Sequence, residues 1–448
     1  MKKYLMYASL IMVSLFGTDL TDFALSVWVL DQPEGSVSSY AIIWFFEAAP
    51  AVFLAPFIGS FVDRWNKKKM IIYGQLVAAI GSILLMLLYN IGELQPWHIM
   101  VVSGIGSVAS TFVFTAFFVA TTALVSKDKL IKAQGMTATL FAIIGMGVPI
   151  LAPVLYKMIG MSNIFLIDVV TFSIAILAFL MINFVVVEQS DEEFSMKNDW
   201  KTIKNFLKKR KALVHLFIFF FGINFFMGLV EVLFTPLILD FSDEYVLGIV
   251  LTCIGLGTLV GGIIMGSTSS FKKPIQKITY VNIFVGVILA LLWINVDIYV
   301  LAIGGMLVIM VATISDIINE AFSQTIIPVK MMGRLAGFEE LVVGGAGPLA
   351  FLLSGFLVDT LKHFLKDLPP EVLGHFPGTI TTPAIIGVFT IAGISLIIFS
   401  ILYSRSKPVS ELDKLYSFEL EKEAQKKEAE KKELEKIAET EKNEDVLV

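Results

Sequence analysis

Apolar residues run along this chain in blocks of about 20 or more, broken by short polar stretches rich in Lys, Arg, Asp and Gly. A helix crosses the ~30 Å hydrocarbon core of a bilayer with about 20 apolar residues. Windows of that size predict twelve spans, at 7–30, 37–60, 70–90, 97–124, 133–159, 163–187, 212–239, 245–268, 276–296, 298–326, 335–360 and 380–403. Several are longer than the minimum, which implies tilt or extension beyond the hydrocarbon. The narrowest division lies between spans nine and ten, where only Asn295 to Asp297 interrupt the apolar sequence. At the amino end Lys2 and Lys3 precede an apolar run, as in a signal peptide. Apolar sequence resumes after Asp22 as Phe23 to Leu30, with no small-residue cleavage pattern, so the reading is a retained first span.

Composition demands the same conclusion. The chain has 448 residues, 56% of them hydrophobic and 16% charged, with a mean hydropathy of +0.81. Residues 404–448 hold 23 of the 73 charged side chains, leaving the other 403 residues about 12% charged; soluble domains run near 25%. So little charge cannot cover a globule of this size, and lipid must solvate it. The single cysteine, Cys253, excludes an internal disulfide. His98, His215, His363 and His375 are scattered, with no pair at ligand spacing, so neither a metal nor another cofactor is expected. The net charge of −5 resides largely in the tail and gives no reason to expect nucleic acid.

Twelve spans place both termini on one side, and 31 of the 34 basic residues fall on that side; Lys157, Lys362 and Lys366 do not. The excess of Lys and Arg assigns it to the cytoplasm, in a multi-pass protein of the cell membrane. Glu188 to Lys211 divides six spans from six, giving a first half over 1–187, a middle loop over 188–211, a second half over 212–403 and a charged tail over 404–448. Lys204, Lys208 and Lys211 recur at helical spacing, as in a basic helix on the inner leaflet. An offset of 202 pairs Asp22-Phe23 with Asn224-Phe225, Gly59 with Gly261, Lys132 with Arg334 and Gly135 with Gly337. Such a repeat implies two halves about an axis along the membrane normal, with a central cavity between them. From Glu411 to Asp445 the tail alternates Glu and Lys, as in a solvated helix held by i,i+4 pairs, and its loss should leave a transporter core working.

Setting aside Asp359 at the very end of span eleven and Lys277 at the very start of span nine, the spans hold nine acids (Asp19, Asp22, Glu47, Asp168, Glu231, Asp316, Glu320, Glu339, Glu340) and one base, Lys157. A carboxylate at mid-bilayer costs roughly 2.5–3.5 kcal/mol on insertion scales, so an excess of them fits proton coupling, cation recognition or both. Counting ~1.5 Å per residue puts Asp19, Asp22 and Glu47 near mid-depth and Glu231 in the outer half. Asp316 and Glu320 share a face toward the inner end of span ten, Glu339 and Glu340 lie one turn inside span eleven, and Asp168 is expected near the outer surface. Structural hydrogen bonds between helices are the alternative for each.

After span two comes Gly59-Ser-Phe-Val-Asp63-Arg64-Trp-Asn66-Lys67-Lys68-Lys69. A generic inner loop would explain the lysines but not the Gly-x-x-x-Asp-Arg order. This loop resembles the signature between spans two and three of the major facilitator superfamily, with Asn66 where a second glycine is usual. Thr21 to Trp28, Leu166 to Phe172 and Pro328-x-x-x-x-Gly333-Arg334 resemble the macrolide-efflux branch of its drug–proton antiporters. The resemblance covers about residues 5–403. It implies that Gly59, Asp63, Arg64, Lys67 and Lys68, with Gly333 and Arg334, form a latch between halves that stabilises the outward-open state. It also likens Gly145, Gly147, Pro149 and Pro153 to the glycine–proline motif of exporters, with Ala152-Pro153 replacing Gly-Pro. Span four lacks the arginine that some of these antiporters use, which leaves coupling to the carboxylates.

The expectation is therefore an all-α membrane protein of twelve transmembrane helices in two six-helix pseudo-symmetric halves, the major facilitator fold. It would be a monomeric secondary transporter, not an enzyme, exporting an amphipathic small molecule in exchange for protons by alternating access. Asp19, Asp22, Glu47, Glu231, Asp316 and Glu320 are the candidates for proton coupling or substrate binding. An importer or lipid-flipping relative, and a membrane sensor or scaffold using the tail, are the other readings.

Overall fold

The computed structural model describes residues 2–32, 36–124, 130–181, 196–266, 273–327, 335, 337–369, 373–419 and 421–422; inside these, the side chains of 2–3, 59–60, 63–64, 118–124, 130–136, 138–139, 196–197, 199, 266, 321 and 324 are not described. Five helices build the first half: α1 (Lys2–Asp31), α2 (Val37–Arg64), α3 (Lys67–Asn90), α4 (Pro96–Leu124) and α5 (Leu130–Met181). A short amphipathic helix, α6 (Met196–Lys209), leads to the second half. There follow α7 (Lys211–Leu239), α8 (Glu244–Gly266), α9 (Pro274–Leu291), α10 (Ile298–Ile326), α11 (Ala346–Leu365) and α12 (Thr381–Ser404). A last helix, α13, covers 407–419.

Eleven helical stretches among the described residues are long and apolar enough to cross a membrane. One of them, Leu140–Met181, spans 42 residues and is broken at Gly160, whose φ of +76° a side chain would resist. Its two limbs are spans five and six, and the protein is the expected twelve-helix, two-half membrane protein. Spans nine and ten do separate at Asn295 to Asp297, because the Asp297 carboxylate accepts the Val300 N–H at 2.9 Å and starts α10. Asn66, the departure from the loop pattern, caps α3 in the same way, accepting the Lys69 N–H at 3.1 Å. Ile80, Leu87, Leu180, Ile263, Ile303 and Leu402 are exposed around the bundle, an apolar surface that lipid solvates.

The end of the bundle carrying residue 4, the turn at 65–66, α6 and α13 is called here the basic end; the other is the far end. Among the described residues, one continuous apolar core fills the second half and crosses into the first at the far end, through Leu25, Val29, Val37, Tyr40, Ile43, Leu94, Ile99 and Phe165. Toward the basic end the first half has its own cluster, including Tyr7, Ile58, Val62, Ile71 and Phe179, and a third lies between α1 and α5. The halves are thus clasped at the far end. Ser38 Oγ donates to Asp359 Oδ2 at 2.7 Å, Trp44 stands edge-on to Phe351, and Lys157 Nζ lies 4.9 Å over the Tyr245 ring. Span five crosses α8 at Gly248, where a Cβ would overlap the Pro149 carbonyl and press on Pro153.

α6 rests on the second half. Ile203 and Leu207 are buried, Trp200 packs edge-on to Phe338, and Arg210 Nη1 donates to the Ile326 carbonyl at 2.9 Å, while Lys201, Lys204 and Lys208 are exposed. The start of the tail departs from the expected solvated helix. In α13, Val409, Leu412 and Tyr416 are buried, Tyr416 stacks on Phe322, and Asp413 accepts the Ile275 and Gln276 N–H groups at 2.9 and 3.3 Å. Those are orphan donors at the start of α9, where Lys273 supplies no side-chain cap. The mixed Glu/Lys pattern hid this because its few apolar residues fall on one face.

Candidate functional site

A cavity of about 830 Å³ lies at mid-depth in the first half, walled by α1, α2, α3, α4 and the second limb of α5 and closed on the other half by Glu231 of α7 and Phe351 of α11. Its wall is apolar except for small hydroxyl residues and five acids: Asp19, Asp22, Glu47, Asp168 and Glu231. Between α3 and α4 it reaches Ile80, Leu84, Val101 and Ile105, side chains exposed on the bundle's outer surface.

Helical spacing explains the convergence. Asp19 and Asp22 are three residues apart on α1 and so share a face, which turns toward Glu47 of α2. The charged groups acting on Asp22 are Glu47, Asp19 and Asp168; those acting on Glu47 are Asp19 and Glu231. All are carboxylates. Glu231 is exposed to the cavity although it lies midway along a membrane-spanning helix. A void of about 20 Å³ between Asp22, Ser26, Tyr40, Glu47 and Ser103 has the size and polar lining for a single water. The Tyr40 hydroxyl stands near Ser26 and, across the interface, near Thr235.

A second cavity, of about 370 Å³, lies within the second half, and Glu231 borders both. Asn224, Asn282, Ser315 and Asp316 are its other polar groups. Asp316 therefore joins the site through Glu231 rather than facing the first-half acids. Glu320 lines neither cavity. Glu339 accepts a long hydrogen bond from Asn319 Nδ2, 3.4 Å, and Glu340 opens a π-helical turn over Glu340–Gly344; both stand apart from the cavities.

The latch is only partly visible. The side chains of Asp63 and Arg64, the surroundings of Gly59, and all of Gly333 and Arg334 lie outside the described residues. Lys67 is buried, and Lys68 Nζ donates to the Leu180 carbonyl at 3.1 Å, a partner in its own half. In the span-five motif Pro149 and Pro153 meet Gly248 of the other half, and the Gly145 carbonyl lies near Gly255. Gly147 faces open space. The aromatic run at Phe217 to Phe226 neither lines the first cavity nor faces lipid throughout: Phe217, Phe219 and Phe220 are core, with Phe219 stacked on Tyr403.

Asp168 corrects the depth count. It is 2% exposed and lines the cavity instead of standing near the outer surface. The reason is that span six begins at the Gly160 break, and Met161, Ile164 and Phe165 fill the bundle between Asp168 and the far end. Gly17 and Ser82, small residues on the helices that meet it, were the available signal.

The family model described as Major Facilitator Superfamily matches residues 7–351. A Streptococcus pyogenes protein named Macrolide efflux protein A is 25% identical over 362 residues, 78% of this chain and 87% of that protein. An Enterococcus faecalis protein of the same name is 28% identical over 249 residues, 54% and 76% of the two. Among solved structures, the nucleoside transporter NupG superposes with a TM-score of 0.69 at 12% identity, covering 91% of this chain and all of that one. A bacterial homologue of the iron transporter ferroportin, in an inward-facing state, gives 0.65 at 14%, covering 90% and 98%. At such identities these two likenesses establish the fold alone.

Proposed function

Because the chain belongs to the major facilitator superfamily, we propose that it is a proton-coupled exporter of an amphipathic small molecule, macrolide-like in size and character. The observation that carries this reading is the convergence of Asp19, Asp22, Glu47 and Glu231 on one cavity of the first half that Glu231 closes from the second, where, among the described residues, the charged groups acting on Asp22 and Glu47 are carboxylates. Crowded acids repel one another when ionised, so the group binds protons or a cation, and the two compete. Protons entering from outside neutralise the cavity and release cargo; their loss to the cytoplasm restores its affinity. The largely apolar walls receive the body of the cargo and Glu231, bordering both cavities, its polar or cationic part. The basic end, with both termini, faces the cytoplasm of a cell-membrane protein, as the lysines and arginines direct.

The test uses proteoliposomes with an imposed proton gradient and a radiolabelled macrolide as probe. Asp22→Asn and Glu47→Gln are each expected to reduce gradient-driven flux to the level of protein-free vesicles while the purified proteins elute and melt as the parent does. Flux that persists unchanged in both variants contradicts the proposal.

A further inference from the structure

Asp168 sits where the protons of the cavity can be counted. Its Oδ2 lies 2.6 Å from Ser82 Oγ, and Ser82 Oγ lies 3.3 Å from the Ala78 carbonyl. A serine hydroxyl has one proton, yet it stands between two acceptors if Asp168 is ionised. The other carboxyl oxygen, Oδ1, is buried and accepts no hydrogen bond. The Thr18 and Thr21 hydroxyls beside it are turned toward the carboxyl group, but neither is within hydrogen-bond distance of Oδ1, and Thr18 donates to the Ser14 carbonyl. An ionised carboxylate 2% exposed, with one shared donor at hydrogen-bond distance, two more distant threonine hydroxyls and two acids as neighbours, is a costly arrangement. A proton on Oδ2 resolves it: Asp168 donates to Ser82 Oγ and Ser82 donates to Ala78 O.

The packing holds the group in this register. Gly17 lets α1 lie directly on it; a Cβ at 17 would stand 2.8 Å from Asp168 Oδ1 and overlap the Thr171 hydroxyl. From α1 Asp168 faces Asp19 and Asp22, and from α3 the Ser82 hydroxyl. Across the cavity stand Glu47 of α2 and Glu231 of α7, and α3 and α4 line it with no charged side chain.

We propose that Asp168 is a proton site of the transporter: it carries a proton while the far end is closed and exchanges it, through cavity water, with Asp19 and Asp22. In each exchange one carboxyl O–H breaks as a water takes the proton, and an O–H forms on the neighbouring carboxylate as that water releases one. This rests on the proton-coupled reading above and adds a member to its acid cluster.

The experiment is difference infrared spectroscopy of the purified protein in lipid, titrated across pH, following the C=O stretch of protonated carboxyls, with no substrate present. Asp168→Asn keeps an acceptor and gains a donor toward Ser82, so it mimics the protonated acid and is expected to fold with unchanged melting while losing one protonated-carboxyl band. Asp168→Glu restores a band. Ser82→Ala, which leaves the acid in place, is expected to move that band because its hydrogen-bond partner is gone; this keeps the test decisive should Asp168→Asn fail to fold. A spectrum in which neither Asp168→Asn nor Ser82→Ala changes any protonated-carboxyl band overturns the proposal. Asp22→Asn measured alongside separates the two readings. If it blocks gradient-driven flux while the Asp168 and Ser82 variants leave every band in place, this inference fails and the proposed function stands. If flux ignores Asp22→Asn and Glu47→Gln, the function fails whatever the spectra show.

Discussion

Between Asp22 and Glu47 lies a void with room for one water, and Tyr40 lids it. The Tyr40 hydroxyl stands beside Ser26 in one half and Thr235 in the other, near enough to bridge the two. Tyr40→Phe is expected to lower stability by up to about 1 kcal/mol, the ordinary worth of one hydrogen bond, read as a lower melting temperature in detergent. An unchanged melting curve would show that the hydroxyl contributes nothing to the clasp. Residues of this kind divide by how far sequence reaches. Asp19, Asp22 and Glu47 were legible because depth along a continuous helix follows from a fixed rise, and two acids three apart must share a face. Asp168 was not, because its burial depends on which helices close over it, and that is decided by Gly17 on span one and Ser82 on span three.

Two helices are finished by acids distant in the chain. Asp240, at the end of α7, accepts the Thr379 and Thr382 N–H groups at 2.9 and 3.1 Å at the start of α12. Asp413 of α13 does the same for α9 from the basic end. Neither cap could be read from local spacing, since the donor and acceptor lie more than 130 residues apart. The boundary of the dispensable tail therefore moves. Deletion of residues 423–448 is expected to spare flux and melting temperature, whereas deletion from 407 exposes the start of α9 and lowers both. Equal behaviour of the two truncations would show that α13 is ornamental. Burial pushes the Asp413 carboxyl up, against the pull of the Ile275 and Gln276 N–H groups and Lys273. A carboxyl raised in the docked state binds its proton more tightly there than when free. Docking is then fullest below the ordinary carboxylate range and weakens as pH rises through the docked value. Asp413→Asn keeps an acceptor for the two N–H groups and is expected to abolish that pH dependence, which limited proteolysis at a series of pH values measures; Asp413→Ala detaches the helix at every pH.

The whole molecule is two six-helix halves pressed together at the far end, with acids gathered in the space that remains. Fold class was legible because hydrophobic run lengths and the side on which Lys and Arg fall need no knowledge of packing. The state was not, because Ser38–Asp359 and Pro149–Gly248 are meetings of surfaces far apart in sequence. If the halves rock, that clasp must part. A Cβ at 355 would stand 2.5 Å from the Ser38 Cα and 2.8 Å from its Cβ, so the halves meet this closely because position 355 is glycine. Gly355→Leu is expected to hold the clasp apart and cut gradient-driven flux to the level of protein-free vesicles while the purified protein elutes as the parent does. Flux unchanged in Gly355→Leu would exclude a need for the far end to close at this point. The central claim, that the gathered carboxylates exchange protons for cargo, is tested most directly by recording internal pH and macrolide flux together in the same proteoliposomes. The account predicts proton movement opposite to the macrolide in the parent protein and neither movement in Asp22→Asn or Glu47→Gln. Macrolide flux without any accompanying pH change in the parent would contradict it.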